Sequence, residues 1–125
     1  MGRTAVTPDG IAKPVGPFST AVHAGDTLYL SGQVAQDLAT GRMIEGDATR
    51  QAEQIFKNIA IVLGAAGKSF ADVMRVGVYL TDLREYAAVN AVYARHFDAP
   101  YPARTLIGVA ALPLGAAIEI DLIAR

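Results

Sequence analysis

The predicted fold depends on the stretch YPARTLIGVAALP, residues 101–113, and on AIEIDL, residues 117–122, which follows it. Both are apolar runs, and the residues between them include Gly115, so the sequence predicts a β-hairpin. Side chains alternate between the two faces along a strand, so Arg104 lies on one face of the first strand. In the second strand, Glu119 lies on the face opposite to that of its apolar neighbours. Each strand of the predicted hairpin therefore carries a charge within an apolar run.

The predicted register brings these two charges toward one gap. If the turn pairs Ala111 with Ala116, then Gly108 lies opposite Glu119, and directly opposed residues share a face. Arg104 and Glu119 then point the same way, about 13 Å apart along the strands at about 3.3 Å per residue. The gap has the size of a small molecule, although a slip of one residue would send Glu119 to the other face.

An arginine and a glutamate across such a gap favour two interpretations. The guanidinium fork holds a carboxylate through two charge-assisted hydrogen bonds, and a glutamate moves protons to and from water. Alternatively, the two side chains form a structural ion pair or lie on a solvated sheet face. From these two residues alone, both interpretations stay open.

The remainder of the chain alternates strand and helix patterns. The predicted elements are strands at 18–22 and 27–33, a helix from Asp47 or Thr49 to Gly67, a strand at 73–80, and a second helix opened by Asp82 with the stripe Tyr86, Val89, Asn90, Tyr93 and Phe97. Asn90 is the polar member of that stripe, and we expect its buried amide to bond to backbone. The order predicts an α+β fold with two helices on one face of a mixed sheet.

Bulk properties bound the possible functions. The 125 residues predict a single domain over 1–125, and a composition 52% apolar and 18% charged favours burial against other subunits. A net charge of -1 and a pI near 6.0 indicate no excess of positive charge for binding nucleic acid or anionic membranes. With no apolar run of membrane-spanning length, we expect a soluble cytoplasmic protein. There are no cysteines, and His23 and His96 lack partners at metal-ligand spacing, so we expect no metal.

A longer set of motifs resembles the Rid family of reactive-intermediate deaminases, also called the YjgF or UK114 family. The motifs are, in order, VGPFS at 15–19, LSGQ at 30–33, AAG at 65–67, YLTDL at 79–83, VNAVY at 89–93, PAR at 102–104 and IEI at 118–120. The likeness runs nearly from end to end of the chain. It implies the chorismate-mutase-like fold, assembled as a homotrimer with its pockets between neighbouring subunits.

The resemblance also implies an activity. Members hydrolyse reactive 2-imino or enamine acids, such as 2-iminopropanoate, to 2-oxo acids and ammonia without a cofactor. Carried over to this sequence, Arg104 clamps the carboxylate and Glu119 handles water and protons, while Gly32 and the backbone of Leu106 contact the substrate. Phe18, where many members have tyrosine, keeps the ring without the hydroxyl and serves as an apolar wall. Leu106 replaces a common cysteine and reshapes the pocket.

Two other functions stay open at this point. A non-catalytic trimer, acting as a carboxylate-binding sensor or a protein-interaction module, would keep Arg104 as a clamp, but an anion site gains nothing from the nearby carboxylate of Glu119. An endoribonuclease or translation inhibitor, as some relatives are described, conflicts with the acidic pI and the lack of a basic stripe. The deaminase is therefore the expected function.

Overall fold

The secondary structure follows the predicted order of strands and helices. The computed structural model describes residues 2–11 and 13–125. Its elements are β1 (Thr4–Val6), β2 (Ala21–Ala24), β3 (Thr27–Gln33), α1 (Ala48–Ala65), β4 (Val73–Leu80), α2 (Tyr86–Tyr93), β5 (Ala103–Gly108) and β6 (Ile118–Ala124). Short 3-10 turns at Phe70–Asp72, Leu83–Glu85 and Pro113–Gly115 precede β4, α2 and β6.

Helix α1 begins and ends where its capping residues predict. The Asp47 carboxylate accepts a hydrogen bond of 3.0 Å from the backbone N–H of Arg50, which makes it the N-cap. Gly67 lies just past the last turn with φ of +72°, a conformation that glycine adopts without strain. Neither α1 nor any other helix in the described ranges is both long and apolar enough to cross a membrane.

Helix α2 begins one turn later than the sequence predicts. The Asp82 carboxylate accepts a hydrogen bond of 3.0 Å from the backbone N–H of Arg84, and so caps the 3-10 turn at Leu83–Glu85 rather than the α-helix. On the predicted apolar stripe, Val89, Tyr93 and Phe97 are buried as expected. Tyr86, at the start of the helix, is exposed.

Strand β6 lies in the middle of the sheet, so the predicted hairpin of β5 with β6 is wrong. The strand order is β1-β2-β3-β6-β4-β5, in which β4 and β5 are parallel and every other pair is antiparallel. Helix α2 makes the crossover between the parallel strands. The reason is burial: β6 places Ile118, Ile120 and Leu122 in the core and needs neighbours on both sides, whereas β5 carries a charge and an exposed Ile107 and fits an edge.

Both helices pack on one face of the mixed sheet, as predicted. Alternation in β6 points Ile118, Ile120 and Leu122 into this core and points Glu119 and Asp121 to the other face. We call this second surface the open face; it carries Tyr29, Arg75, Tyr79, Thr105, Ile107, Glu119, Asp121 and Ile123. Two of its large side chains, Tyr29 and Ile107, are 46% and 45% exposed. A face of this kind is typical of a surface that a partner covers.

Candidate functional site

Arg104 lies on edge strand β5 and points toward helix α2. It pairs with the buried Val76 of β4, so its side chain is on the helix-covered face. Its Nη1 donates a hydrogen bond of 2.8 Å to the Asn90 side-chain oxygen. The guanidinium carbon is 4.7 Å from the centroid of the Tyr93 ring, within the range of a cation–π contact. The centroid of the Tyr86 ring is 5.9 Å from the same carbon, so one hydrogen bond and two rings orient the guanidinium.

An open cleft of about 340 Å³ lies next to this guanidinium. It is lined by Asn90, Tyr93, Ala94, Tyr101, Pro102 and Arg104. Neither of the two ion pairs among the described residues involves Arg104. The hydrogen bond to Asn90 uses one of the five N–H donors of the Arg104 guanidinium. The remaining donors can take a small carboxylate.

Leu106 lies two residues after Arg104 on edge strand β5 and presents its backbone groups away from the sheet. The N–H of Val109 donates to the carbonyl oxygen of Leu80 at 2.8 Å, so this residue's backbone faces β4. Because successive residues of a strand point their N–H and C=O in opposite directions, those of Leu106 face away from the sheet. Because β5 is an edge strand with β4 on one side only, these outward groups are available to a ligand.

Glu119 lies on the open face, above a glycine in a β-bulge. The β3–β6 register shifts between Leu30 and Gln33, and Gly32 lies in this bulge. A Cβ built on Gly32 would be 2.6 Å from Oε2 of Glu119, so a side chain there would displace the carboxylate. Burial, followed by the charge of nearby Asp121, raises the pKa of the Glu119 carboxyl.

The Phe18 segment is tied to the same bulge. The Ser31 hydroxyl donates to the carbonyl oxygen of Ser19 at 2.7 Å, and the Ser31 N–H donates to that of Thr20 at 3.0 Å. These bonds hold the residues after Phe18 beside Ser31, the chain neighbour of Gly32. Phe18 itself is 56% exposed. A ring this exposed is available to line a ligand or a neighbouring subunit.

The candidate residues therefore form two groups on opposite faces of the sheet. We call Arg104, Asn90, Tyr93 and the backbone of Leu106 the Arg104 half-site, and Phe18, Gly32 and Glu119 the Glu119 half-site. The prediction that Arg104 and Glu119 point the same way is wrong. The physical reason is the alternation of side chains along paired strands. Arg104 aligns across β4 with buried Leu122, whereas Glu119 aligns with Tyr79 on the open face.

Sequence reasoning missed the residues that orient the Arg104 guanidinium. Asn90 was expected to bond to backbone, but its side-chain oxygen accepts from Arg104. Tyr93 was expected only in the core, and it also lies against the guanidinium. The one available signal was the polar residue on an apolar helix stripe, which indicates a buried polar partner without naming it.

A larger cavity of about 700 Å³ is lined in part by the Asp98–Ala103 segment and carries less chemistry. Its walls include Phe70, Phe97 and Pro100, together with His96. The His96 ring stacks on Phe56 at 4.4 Å, and burial lowers its pKa. Among the described residues no cluster of His, Cys, Asp or Glu could hold a metal ion. The two half-sites are thus the better candidates for function.

The raised pKa of Glu119 should make the stability of the protein depend on pH. Because its folded pKa exceeds the unfolded value of about 4.3, its contribution to stability is fully present below that value and is lost as pH rises through the folded pKa. We expect Glu119→Gln, which stays neutral, to have a higher Tm than the wild type at pH 7 and an equal Tm near pH 4. Thermal unfolding followed by circular dichroism at both pH values measures this. Exposed Glu53, replaced by Gln, is the control, and equal Tm values for Glu119→Gln and wild type at pH 7 would contradict the expectation.

Known proteins resemble this chain along nearly its full length. A family model described as Endoribonuclease L-PSP matches residues 10–125. Protein DfrA of Myxococcus xanthus is 45% identical over an alignment of 126 positions that covers 99% of this chain and 96% of that protein. A protein of Capra hircus named 2-iminobutanoate/2-iminopropanoate deaminase is 42% identical over 110 residues, 88% of this chain and 80% of its own. The crystal structure of RidA from an Antarctic Psychrobacter species has a TM-score of 0.92 at 42% identity and covers 98% of both chains.

Proposed function

The chain belongs to the Rid family, whose model is described as Endoribonuclease L-PSP, and we propose that it hydrolyses reactive 2-imino and enamine acids to 2-oxo acids and ammonia. One observation carries the proposal: the described residues include an arginine fork that forms no ion pair among them and a glutamate whose pKa is raised by burial. The name of the Capra hircus relative supports the same reaction class. No cofactor is required, because the imine carbon is already electrophilic.

In the proposed mechanism the Arg104 half-site binds the substrate, and the Glu119 half-site positions water and moves protons. Arg104 binds the substrate carboxylate through two parallel N–H donors, and the outward backbone of Leu106 helps to fix the imine. Glu119 takes a proton from water as the oxygen attacks the carbon of the protonated imine, which gives a neutral tetrahedral aminoalcohol. The same carboxyl gives this proton to the nitrogen, and ammonia leaves as the Glu119 carboxylate takes the hydroxyl proton and the carbonyl forms. The backbone at Gly32 positions the water.

We propose that this site is completed between two chains of a homotrimer. Arg104 and Glu119 lie on opposite faces of one sheet, so a single chain does not present both to one substrate. The open face, which carries Glu119, also carries the exposed Tyr29 and Ile107, which suits coverage by another subunit. In this arrangement one subunit supplies the Arg104 half-site and its neighbour supplies the Glu119 half-site.

Asn90 is expected to set the affinity of the clamp. Asn90→Ala removes the acceptor that orients Arg104, and we expect KM for 2-iminopropanoate to rise about fivefold, the effect of about 1 kcal/mol from one hydrogen bond. Asn90→Asp keeps the size but adds a carboxylate that competes for the guanidinium, so its KM should rise further. Steady-state kinetics measure both values. Equal KM values for Asn90→Ala and wild type would show that the orientation of Arg104 does not depend on this contact.

Phe18→Tyr tests the apolar wall. The exposed ring gains a hydroxyl that can donate to a bound imino acid, so we expect a several-fold gain in kcat/KM on 2-iminopropanoate. The measurement is turnover of the variant and the wild type on the same substrate. No gain would mean that the wall serves a substrate with a different tail.

The proposed activity is tested on imino acids that are generated in situ in the assay. An amino-acid oxidase converts several amino acids to their imines, semicarbazide traps what survives, and the wild type is compared with Arg104→Ala. We expect the wild type alone to lower the amount of trapped product. The amino acids most affected then define the substrate range.

A non-catalytic carboxylate-binding trimer is the second candidate, favoured by the missing hydroxyl at Phe18. It predicts that wild type and Arg104→Ala leave the trapped imine equally untouched, while only the wild type binds a 2-oxo acid in calorimetry. An endoribonuclease is disfavoured by the net charge of -1, and inactivity on single-stranded RNA at low salt would exclude it.

A further inference from the structure

Tyr79 and Asp121 form a hydrogen-bonded pair on the open face, in space left by a glycine. The Tyr79 hydroxyl donates to Oδ2 of Asp121 at 3.0 Å. Gly77 lies between the two, paired directly with Asp121. A Cβ on Gly77 would clash with Oδ1 of Asp121 and lie 2.8 Å from the Tyr79 hydroxyl oxygen. Glycine weakens a strand interior, so its presence here is explained by the pair it admits.

This pair is adjacent to Glu119. Tyr79 is the direct cross-strand partner of Glu119 in the β4–β6 register. Asp121 is two residues along β6 on the same face, about 7 Å away at about 3.3 Å per residue. The carboxylate that Tyr79 holds is therefore a fixed neighbour of the proposed proton carrier.

The other groups around Glu119 do not offset this charge. On β4, Arg75 donates to the Thr105 hydroxyl at 2.9 Å and forms no ion pair among the described residues. On β3, Gly32 has no side chain, and the nearest titratable group of that strand is Tyr29, opposite Ile123. On β5, the open-face residues Ala103, Thr105 and Ile107 are not titratable. Asp121 is thus the charge on this chain that acts most directly on Glu119.

We propose that Tyr79 and Asp121 are positioning residues that tune proton transfer by Glu119. Tyr79 fixes the Asp121 carboxylate. The negative charge of Asp121 makes the Glu119 carboxylate a stronger base toward water. This inference rests on the proposed function, since it assigns a task to the glutamate that the reaction uses. The raised pKa of Glu119, due to burial and then to Asp121, has the required direction. Burial and the bond to Asp121 also raise the pKa of Tyr79, so its hydroxyl remains a donor at neutral pH.

The test compares Asp121→Asn and Tyr79→Phe with the wild type in pH profiles of kcat/KM on an active imine. Removing the Asp121 charge lowers the pKa of Glu119, so the acidic limb should move to lower pH and kcat/KM near pH 7 should fall about tenfold. Tyr79→Phe should shift the limb the same way by less. Tyr29→Phe removes a hydroxyl from the same face, away from Glu119, and should leave the profile unchanged.

A second measurement separates this inference from the proposed function. The NMR shift of the Glu119 carboxyl carbon, assigned by its absence in Glu119→Gln, is followed through a pH titration in wild type, Asp121→Asn and Tyr79→Phe. Suppose that the wild type is active, but that neither the acidic limb of the pH profile nor the titration of Glu119 moves in these variants. The positioning role is then overturned, and the proposed deaminase activity is unaffected. If the wild type turns over no imine, the proposed function fails, and the titration still decides whether the pair controls Glu119. Should Asp121→Asn not fold, Tyr79→Phe decides both measurements.

Discussion

Replacing Arg104 with lysine is expected to remove most of the activity even though the charge is kept. The guanidinium fork can offer two parallel donors to a carboxylate while a further N–H bonds to Asn90 at 2.8 Å. A lysine ammonium cannot reproduce that geometry or the planar contact with Tyr93 at 4.7 Å. Losing one charge-assisted hydrogen bond of about 1.5–3 kcal/mol lowers kcat/KM roughly 10- to 100-fold. Steady-state kinetics on the most active imine measure the loss.

The matched control for this substitution is Arg95→Lys. Arg95 lies just past the C-terminal end of α2, and its exposed side chain pairs with Glu53 at 3.4 Å. An exposed pair of this kind contributes little, so the same chemical change there should leave kcat/KM unaltered. If Arg104→Lys retains full turnover, the clamp is not bidentate, and the cleft beside Tyr93 has another purpose.

The local elements were predictable because their signals are local. Asp47 and Gly67 bracket α1 in sequence as they do in the structure, and β4 covers the predicted residues 73–80. These features depend on a cap, a left-handed glycine and an apolar run, each contained within a few residues. Two helices on one face of a mixed sheet follow from the order of such elements.

The position of β6 was not predictable in the same way. A short connection between two apolar strands favours a hairpin, and nothing in residues 101–122 indicates that β4 lies between them. The choice is made by burial, because the core under α1 takes all the inward side chains of β6. Arg104 and Glu119 could be singled out from the sequence as candidates, but the face of each depends on strand order and register. Asn90 could be noticed, but its partner is set by the tertiary fold.

Two inactive variants are expected to regain activity when they assemble together. In Arg104→Ala the Glu119 half-site is intact, and in Glu119→Gln the Arg104 half-site is intact. If one substrate is held between two subunits, a mixed assembly forms complete sites at those interfaces where the intact halves meet. With random equimolar mixing, about one interface in four combines both, so about a quarter of wild-type activity should return. Refolding the two variants together from denaturant, followed by the imine-trapping assay, measures the recovery.

The control is a mixture of Arg104→Ala with the double variant Arg104→Ala/Glu119→Gln, which contains no intact Arg104 and should stay inactive. Recovery in the first mixture alone would mean that the two half-sites, which lie on opposite faces of one sheet, act across an interface. No recovery, in mixtures shown by native mass spectrometry to contain both variants, would contradict the inter-subunit site. Catalysis would then need a rearrangement that brings Arg104 and Glu119 of one chain to the same face, against the pairing of β5 and β6 with β4.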